Sequence, residues 1–255
     1  MANYHFNFAI VWRYAGKLFE GLLLSLELAA ASIAIGMTIG LVLALISLDG
    51  PKWARPLIAA YVEFVRNVPL LLLVYLVFYG IPSAIDLQYD AVTSFVATLA
   101  IYSGAYLVEV MRAGLEAVPR GLIEAGKAIG LTPMKVLWHV RLPTAMRIAL
   151  PSLSNTYVSL FKDTSLAAAI AVPELTFIAR QINANTFRVM EVWLTASALY
   201  LAIAVPELAY GMRWIETQTF RTVEVYLLAT PIYLITSYAI LLLLRLAERR
   251  YAIAR

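Results

Sequence analysis

The sequence contains no cysteine and only two histidines, His5 and His139, among its 255 residues. The lack of cysteine excludes disulfides, cysteine-ligated zinc and thiol nucleophiles, and neither histidine stands in a metal-binding spacing. No G-x-x-x-x-G-K-[ST] loop occurs, so the chain does not bind ATP through a P-loop. We therefore expect no enzyme activity, no metal site and no cofactor.

Charged residues are scarce. They make up 14% of the chain against 62% hydrophobic residues, whereas soluble domains carry about a quarter charged residues. The run Gly21–Leu48 contains a single charge, Glu27, and at about 1.5 Å per residue it is long enough to cross a hydrocarbon core of roughly 30 Å. The composition predicts an all-α membrane protein in contact with lipid, not a nucleic-acid-binding one.

Further apolar runs predict the remaining crossings. They are Val68–Ile85, Ala91–Val108, the broken segment Ile148–Val172, the short run Val192–Pro206, and Val225–Leu244. Residues 1–20 precede the first crossing and are expected to lie at the membrane interface, so the transmembrane domain is assigned to residues 21–255. Pro69 is expected to kink the second helix, which begins near Pro56.

The distribution of basic residues predicts the orientation, because cytoplasmic loops carry an excess of Lys and Arg. Basic residues concentrate in residues 49–56, in residues 112–147 and at the C-terminus, whereas 80–90 carries none. We therefore expect the N-terminus outside and the C-terminus in the cytoplasm, which requires an odd number of crossings. Five is the natural number.

A direct repeat complicates this count. The tetrapeptide Val-Pro-Glu-Leu at 172–175 recurs at 205–208, and about half of the positions in 172–201 match those in 205–234. Two copies indicate a local duplication rather than a solenoid, which needs at least three units. We expect one copy to cross the membrane and the other to pack peripherally or re-enter; a sixth crossing would instead place the C-terminus outside.

Residues 112–147 are too many for an ordinary interhelical connection. Leu122, Ala125, Ala128 and Ile129 follow helical spacing, Gly130 is expected to end that helix, and Thr132-Pro133 to begin another. The second helix would present Met134, Leu137 and Trp138 on one side. The residues alone support a docking surface and a plain connector at the lipid headgroups about equally.

This segment resembles the EAA motif of ABC-importer permeases. Glu124-Ala-Gly126, then Gly130, then Val140-x-Leu142-Pro143 has the motif's spacing throughout, with Gly126 and Val140 replacing its second Ala and its Ile. Further stretches resemble the permeases for polar amino acids such as histidine, glutamate, glutamine, arginine and opines. They are 60–70, 104–114, 118–121, 142–145, 162–166 and the repeated 172–175 segment.

The resemblance implies a type I ABC importer permease fold of about five transmembrane helices with a cytoplasmic coupling helix, in a bacterial inner membrane. It implies three protein partners: an ABC ATPase, a second permease half that is identical or homologous, and a periplasmic or tethered amino-acid-binding protein. It also assigns ATPase coupling to the motif residues Glu124, Ala125, Gly126, Gly130, Leu142 and Pro143. Which polar amino acid is carried stays open.

Ionisable residues within the crossings are candidates for the substrate path, because each is costly in a bilayer unless compensated. These are Arg66 and Lys162-Asp163, to which Asn67, Thr164 and Ser165 would add hydrogen bonds. A structural ion pair between Arg66 and Asp163 is the alternative and is slightly favoured. A secondary transporter would carry inverted repeats, whereas this repeat is direct, and a channel would need no rigid cytoplasmic element.

Overall fold

A computed structural model describes residues 4–219, which form helices joined by short connections. The helices are α1 (Phe8–Trp12), α2 (Ala15–Asp49), α3 (Ala54–Asn67), α4 (Leu70–Tyr75), α5 (Ile81–Ile85), α6 (Ala91–Glu116), α7 (Arg120–Ala128), α8 (Pro133–Val136), α9 (Leu142–Asp163), α10 (Leu175–Thr186) and α11 (Val189–Thr219). A 3₁₀ segment, Thr164–Ile170, extends α9. The predicted last crossing, Val225–Leu244, and the basic C-terminus lie outside the described residues.

Two of the described helices, α2 and α6, are long and apolar enough to cross a membrane. The number rises to four when each of two interrupted helix pairs is counted as one crossing. Both long helices extend past the predicted apolar runs: α2 begins at Ala15 and α6 ends at Glu116. Charged residues such as Lys17 and Arg112 mark where the apolar part ends, but they do not end a helix.

Proline interrupts the second crossing, as predicted. Pro56 lies in the first turn of α3, where its missing N–H costs no hydrogen bond. Asn67 ends α3, Pro69 is extended, and α4 begins at Leu70. The helical stretch Leu70–Ile85 is bent by 104° from α3. The break is sharper than the kink that the sequence suggested, because Pro69 also restricts the residue before it to extended backbone.

Two single π-helical turns, Leu76–Gly80 and Leu137–Arg141, were not predicted. Each ends two residues before a proline, Pro82 in one case and Pro143 in the other. A proline cannot donate to the carbonyl four residues earlier and its ring crowds that turn, so a widened turn accommodates it without ending the helix. As a result, the chain is helical without interruption from Pro133 to Ile170, and this run begins well inside the predicted loop 112–147.

The chain divides into two compact units. The central unit, residues 26–172, has a core in which α2, α6 and α9 meet through Ala44, Leu107, Met111, Ala149 and Leu153. Glycines at the helix contacts allow close approach: a Cβ at Gly114 would lie 3.0 Å from the Ala145 carbonyl oxygen. Small residues at helix contacts are typical of membrane bundles, in which packing rather than water exclusion drives association.

The terminal unit comprises residues 1–25 and 173–255, described over 4–25 and 173–219. The beginning of α2 approaches α10 closely, since a Cβ at Gly21 would lie 3.0 Å from the Leu175 Cα. The two repeat copies differ here: Pro173-Glu174 is non-helical and precedes α10, whereas residues 205–208 lie within α11. The run Val192–Pro206 is therefore part of a 31-residue helix, and positions 220–234 of the second copy lie outside the described residues.

Candidate functional site

The helix–glycine–helix element predicted around residue 130 is present. Helix α7 ends at Ala128, and Gly130 has φ +82°, a left-handed conformation that glycine adopts without strain. The side chain of Thr132 accepts a hydrogen bond from the Lys135 N–H at 3.4 Å, and Pro133 occupies the first turn of α8. The signals for this turn therefore predicted its capping residue and its glycine.

Several large apolar residues of this element are exposed. Ile129, Met134 and Trp138 are 79%, 64% and 56% exposed, and Leu122 is exposed as well. Within α7 only Gly126 is buried, against the side chains of Val136 and Val140. Exposed apolar patches of this kind mark interaction surfaces, and we call Leu122, Ile129, Met134 and Trp138 the coupling patch.

The motif residues divide into surface and packing positions. Glu124, Ala125 and Gly130 are exposed on the element, whereas Gly126 is buried between α7 and α8. Leu142 and Pro143 instead lie at the beginning of α9, half-buried and exposed respectively. The motif thus connects the exposed element directly to a long bundle helix.

Two contacts hold the element against the other helices of the central unit. Ile123 of α7 packs against the core formed by α2, α6 and α9. Arg141, in the π-helical turn, donates a hydrogen bond from Nη1 to Asp49 Oδ2 at 2.6 Å, at the end of α2. The sequence did not predict this ion pair, because its partners lie 92 positions apart and no local spacing links them.

The central unit also contains a polar cavity of about 280 Å³. Its polar lining comes from α6 and α9 and consists of Tyr102, Tyr106, Asn155, Thr156, Ser159 and Asp163. The hydroxyl of Tyr102 donates to that of Tyr106 at 3.2 Å. Hydroxyl, amide and carboxylate groups together can bind a small zwitterion through several hydrogen bonds.

Of the predicted substrate-path residues, only Asp163 lines this cavity. Arg66 lies beside it, with its guanidinium carbon 5.1 Å from the ring centre of Tyr106. In residues 4–219 no ion pair joins Arg66 to Asp163. The cation–π contact therefore replaces the structural ion pair that the sequence favoured.

The other four predicted residues lie elsewhere. The Asn67 amide donates to the Glu63 carbonyl at 2.7 Å, and the buried Thr164 hydroxyl donates to the Phe161 carbonyl at 2.6 Å. Lys162 is exposed and Ser165 half-buried, and neither is among the cavity residues. A neglected signal could have found the correct lining: the polar residues at 155, 156, 159 and 163 follow helical spacing along one face of α9.

The sequence matches a family of known proteins. Residues 36–252 match the family model described as binding-protein-dependent transport system inner membrane component. The chain is 34% identical over 204 residues to the octopine transport system permease protein OccM of Rhizobium radiobacter, covering 77% of this chain and 83% of that one. It is 34% identical over 197 residues to the glutamine transport system permease protein GlnP of Escherichia coli K12, covering 77% and 90%.

Solved structures agree with the fold. A crystal structure of an amino acid ABC transporter with histidines is similar with a TM-score of 0.73 and 28% identity, covering 82% of this chain and 97% of that one. An inward-facing MetNI methionine ABC transporter is similar with a TM-score of 0.66 at 21% identity, covering 80% and 97%. The second likeness concerns the fold alone. The helices therefore form the type I importer permease fold that the sequence predicted.

Proposed function

Because the chain belongs to the family of binding-protein-dependent transport system inner membrane components, we propose that it carries polar amino acids into the cytoplasm by alternating access. In this proposal a separate ATPase supplies the work through the EAA element. The observation that carries it is the coupling patch: four large apolar side chains exposed on an element joined to the helix bundle by Ile123 and Arg141. A protein surface that contacts only water rarely exposes several large apolar side chains together, so the patch indicates a binding partner.

The coupling patch has the properties of a docking surface for a protein. The aromatic Trp138 and the apolar Met134 and Ile129 are exposed, and α7 also exposes the charged Glu124 and Lys127. Protein interfaces likewise combine an apolar centre with a polar rim. Motion of a docked ATPase would reach α9 directly, since the helical run continues from Pro133 into the bundle. Coupling residues in this proposal are Glu124, Ala125, Gly126, Gly130, Leu142 and Pro143.

The polar cavity supports amino acids as substrates. Asp163 offers a carboxylate for an ammonium or guanidinium group, and the tyrosine hydroxyls and Asn155 offer hydrogen bonds for a carboxylate or an amide. Arg66 supplies positive charge beside the same tyrosines. The predicted contributions of Asn67, Lys162, Thr164 and Ser165 have no support from the cavity lining, so only Arg66 and Asp163 are kept in the proposed substrate path.

The remaining parts of the assembly follow from the family. We propose a second permease half, two cytoplasmic ATPase subunits and a periplasmic or tethered binding protein, in a bacterial inner membrane. The loop 112–147 and the C-terminus are assigned to the cytoplasm and the N-terminus to the outside, on the basic-residue distribution.

Reconstitution tests this function. Proteoliposomes containing the permease, its ATPase and its binding protein should take up a polar amino acid only with ATP, and that amino acid should stimulate ATP hydrolysis. Trp138→Ala should reduce this stimulation about tenfold or more, since removing an interface anchor costs about 2 kcal/mol. Trp53→Ala is the matched control, since Trp53 is 70% exposed outside the coupling patch. Uptake that persists without ATP, or equal effects of both substitutions, would contradict the proposal.

A further inference from the structure

The turn between α10 and α11 exposes large apolar side chains. Phe187 is 83% exposed, and Val189 and Met190 after it are exposed as well; we call these three residues the turn patch. Phe187 also has φ +55°, a left-handed conformation that is uncommon for a bulky residue. A turn that combines strained backbone with an aromatic ring outside the core indicates that the ring has a task beyond folding.

The N-terminal segment is bound to this turn through polar groups. Glu191, which is fully buried, accepts hydrogen bonds from the Tyr4 hydroxyl through Oε2 and from the Asn7 N–H through Oε1 at 2.8 Å. Arg188 donates from Nη1 to the His5 carbonyl at 2.9 Å and lies 3.6 Å from Glu191 Oε1. The turn patch therefore adjoins a neutralised ion pair that holds the N-terminal segment in place.

The helix that follows this segment presents groups typical of a membrane surface. Helix α1 begins at Phe8, directly after the bound segment, and packs against α11. Trp12 at its end is 76% exposed, and Arg13 and Lys17 shortly after it are exposed too. Among residues 4–219 neither cation forms an ion pair. Tryptophan side chains concentrate at the headgroup level of bilayers, where lysine and arginine meet the lipid phosphates.

Two observations favour lipid over a protein as the cover of the turn patch. Exposed apolar residues continue from α1 into α2, which is long enough to cross the membrane and exposes Phe19 and Leu23 one turn apart on one face. The cations beside Trp12 suit the phosphates of a bilayer surface. A partner from solution would cover the turn patch only while docked, whereas a bilayer covers it at all times, and large apolar groups are rarely left in water.

We propose that the turn patch and the end of α1 form an interfacial anchor in the leaflet on the N-terminal side of the membrane. The turn patch and Trp12 lie at the boundary between headgroups and acyl chains, and Arg13 and Lys17 lie at the level of the phosphates. The ion pair of Arg188 and Glu191 joins the two parts of the anchor. Helix α11 therefore enters the bilayer at the surface on which the N-terminal segment lies.

The absence of cysteine allows a direct test with single-cysteine variants of the full chain. Phe187→Cys, Met190→Cys and the control Gln181→Cys, at an exposed position of α10, are each labelled with the environment-sensitive dye NBD. The permease is placed in nanodiscs of phosphatidylethanolamine and phosphatidylglycerol, some of whose lipids carry a nitroxide near the glycerol end of an acyl chain. The nitroxide should quench the dye at 187 and 190 several-fold more strongly than at 181, whereas iodide in solution should quench position 181 most strongly.

Two variants at position 187 test whether the ring itself anchors the turn. Asparagine adopts the left-handed conformation readily, so Phe187→Asn keeps the turn and removes the apolar ring, whereas Phe187→Leu keeps an apolar side chain. With the dye at position 190, nitroxide quenching should fall several-fold in Phe187→Asn and should be retained in Phe187→Leu. Equal quenching in the two variants would contradict the anchor.

Addition of the binding protein separates lipid from a protein partner as the cover. The anchor requires the nitroxide to quench position 187 equally with and without the binding protein. If iodide reaches the dye at 187 as freely as at 181, the turn patch lies in water and the proposal is wrong. Protection of position 187 that appears only after the binding protein is added would equally overturn it, because the turn patch would then be a protein-docking surface.

Discussion

The guanidinium of Arg66 packs over the ring of Tyr106, 5.1 Å from its centre, instead of pairing with the carboxylate of Asp163. Tyr106 also lines the polar cavity with Asp163. The cation is therefore held at the edge of the cavity by an aromatic face, while the carboxylate is directed to the cavity itself. In the proposed function, both charges would be available to a zwitterionic substrate.

Tyr106→Phe and Tyr106→Leu separate the two contacts of this tyrosine. Phenylalanine keeps the aromatic face for Arg66 and loses only the hydrogen bond from Tyr102. Leucine removes the face as well, which at about 0.5–2 kcal/mol corresponds to a further loss of about 2- to 30-fold in apparent substrate affinity. Concentration dependence of uptake in proteoliposomes measures the difference; equal losses in both variants would show that the ring face has no role.

Asp163→Asn is expected to reduce amino-acid uptake more strongly than Lys162→Gln. A hydrogen bond to a charged group is worth about 1.5–3 kcal/mol, so the expected loss in apparent affinity is roughly 10- to 150-fold. Lys162→Gln is the matched control, because Lys162 adjoins Asp163 but is exposed and does not line the cavity. A larger effect of Lys162→Gln would place the substrate path on another face of α9.

Local signals predicted the local structure well. Gly130, Thr132 and Pro133 define a turn by their own backbone chemistry, and the structure contains that turn. The cavity could not be predicted in this way, because it forms where the polar face of α9 meets Tyr102 and Tyr106 of α6. That contact between two helices has no signal in the local sequence. Asp163 and the polar residues adjoining it in the chain were therefore predicted, whereas the polar residues one and two turns earlier in α9 that line the cavity were missed.

The long-range contacts of the terminal unit could not be predicted from local sequence patterns either. Glu174 and Glu191 were visible only as members of a repeated sequence, yet both are buried hydrogen-bond centres for residues far away in the chain. Their partners Ser25 and Asn7 lie 149 and 184 positions away. No periodicity connects such positions, because the contact arises from packing of separate helices.

Gly126→Ala should be tolerated and Gly130→Ala should not, although both glycines belong to the motif. A Cβ at position 126 would meet Val136 and Val140 at 3.4 Å, an ordinary contact, and alanine favours the helix by about 0.5–1 kcal/mol. At position 130 alanine would have to adopt φ +82°, at a cost of about 1–3 kcal/mol. Thermal unfolding in detergent measures both.

Gly121→Ala provides the reference for these two variants. It lies in the first turn of α7 and has open space around it. The shift in unfolding midpoint that Gly121→Ala causes therefore reports helix propensity alone, without a change in packing. Gly126→Ala should behave like Gly121→Ala, while amino-acid-stimulated ATP hydrolysis should fall only in Gly130→Ala. A loss of coupling in Gly126→Ala at unchanged stability would mean that position 126 contacts the ATPase rather than α8.

Gly40→Ala should destabilise the central unit by about 1–3 kcal/mol, as overpacking of a filled contact does. A Cβ at position 40 would lie 2.6 Å from the Leu107 Cβ and 2.9 Å from its carbonyl carbon, so α2 and α6 would have to separate. Gly16→Ala is the control in the same helix, because nothing lies within 4 Å of that position. Equal unfolding midpoints of the two variants would show that α2 and α6 do not approach closely at residue 40.

Asp90 should make the beginning of α6 sensitive to acid. Its Oδ2 accepts from the N–H groups of Val92 and Thr93 at 3.1 and 3.2 Å, and the Thr93 hydroxyl donates to Oδ1. The hydrogen bond from the Thr93 side chain is the main cause that lowers the pKa of Asp90 below its ordinary value. A carboxyl whose pKa is lower in the folded state stabilises it above the unfolded pKa of about 3.9, and this contribution is lost as the pH falls through the folded value.

Unfolding midpoints of the purified permease at pH 7 and pH 3 test this relation. Asp90→Asn, which caps a helix as well as aspartate but does not titrate, should show a smaller decrease between the two pH values than the unsubstituted chain. Asp90→Ala should be less stable than both at pH 7, and its decrease between pH 7 and pH 3 should equal that of Asp90→Asn, because neither residue titrates. An acid-induced decrease of the same size in all three chains would show that the Asp90 carboxylate does not stabilise α6.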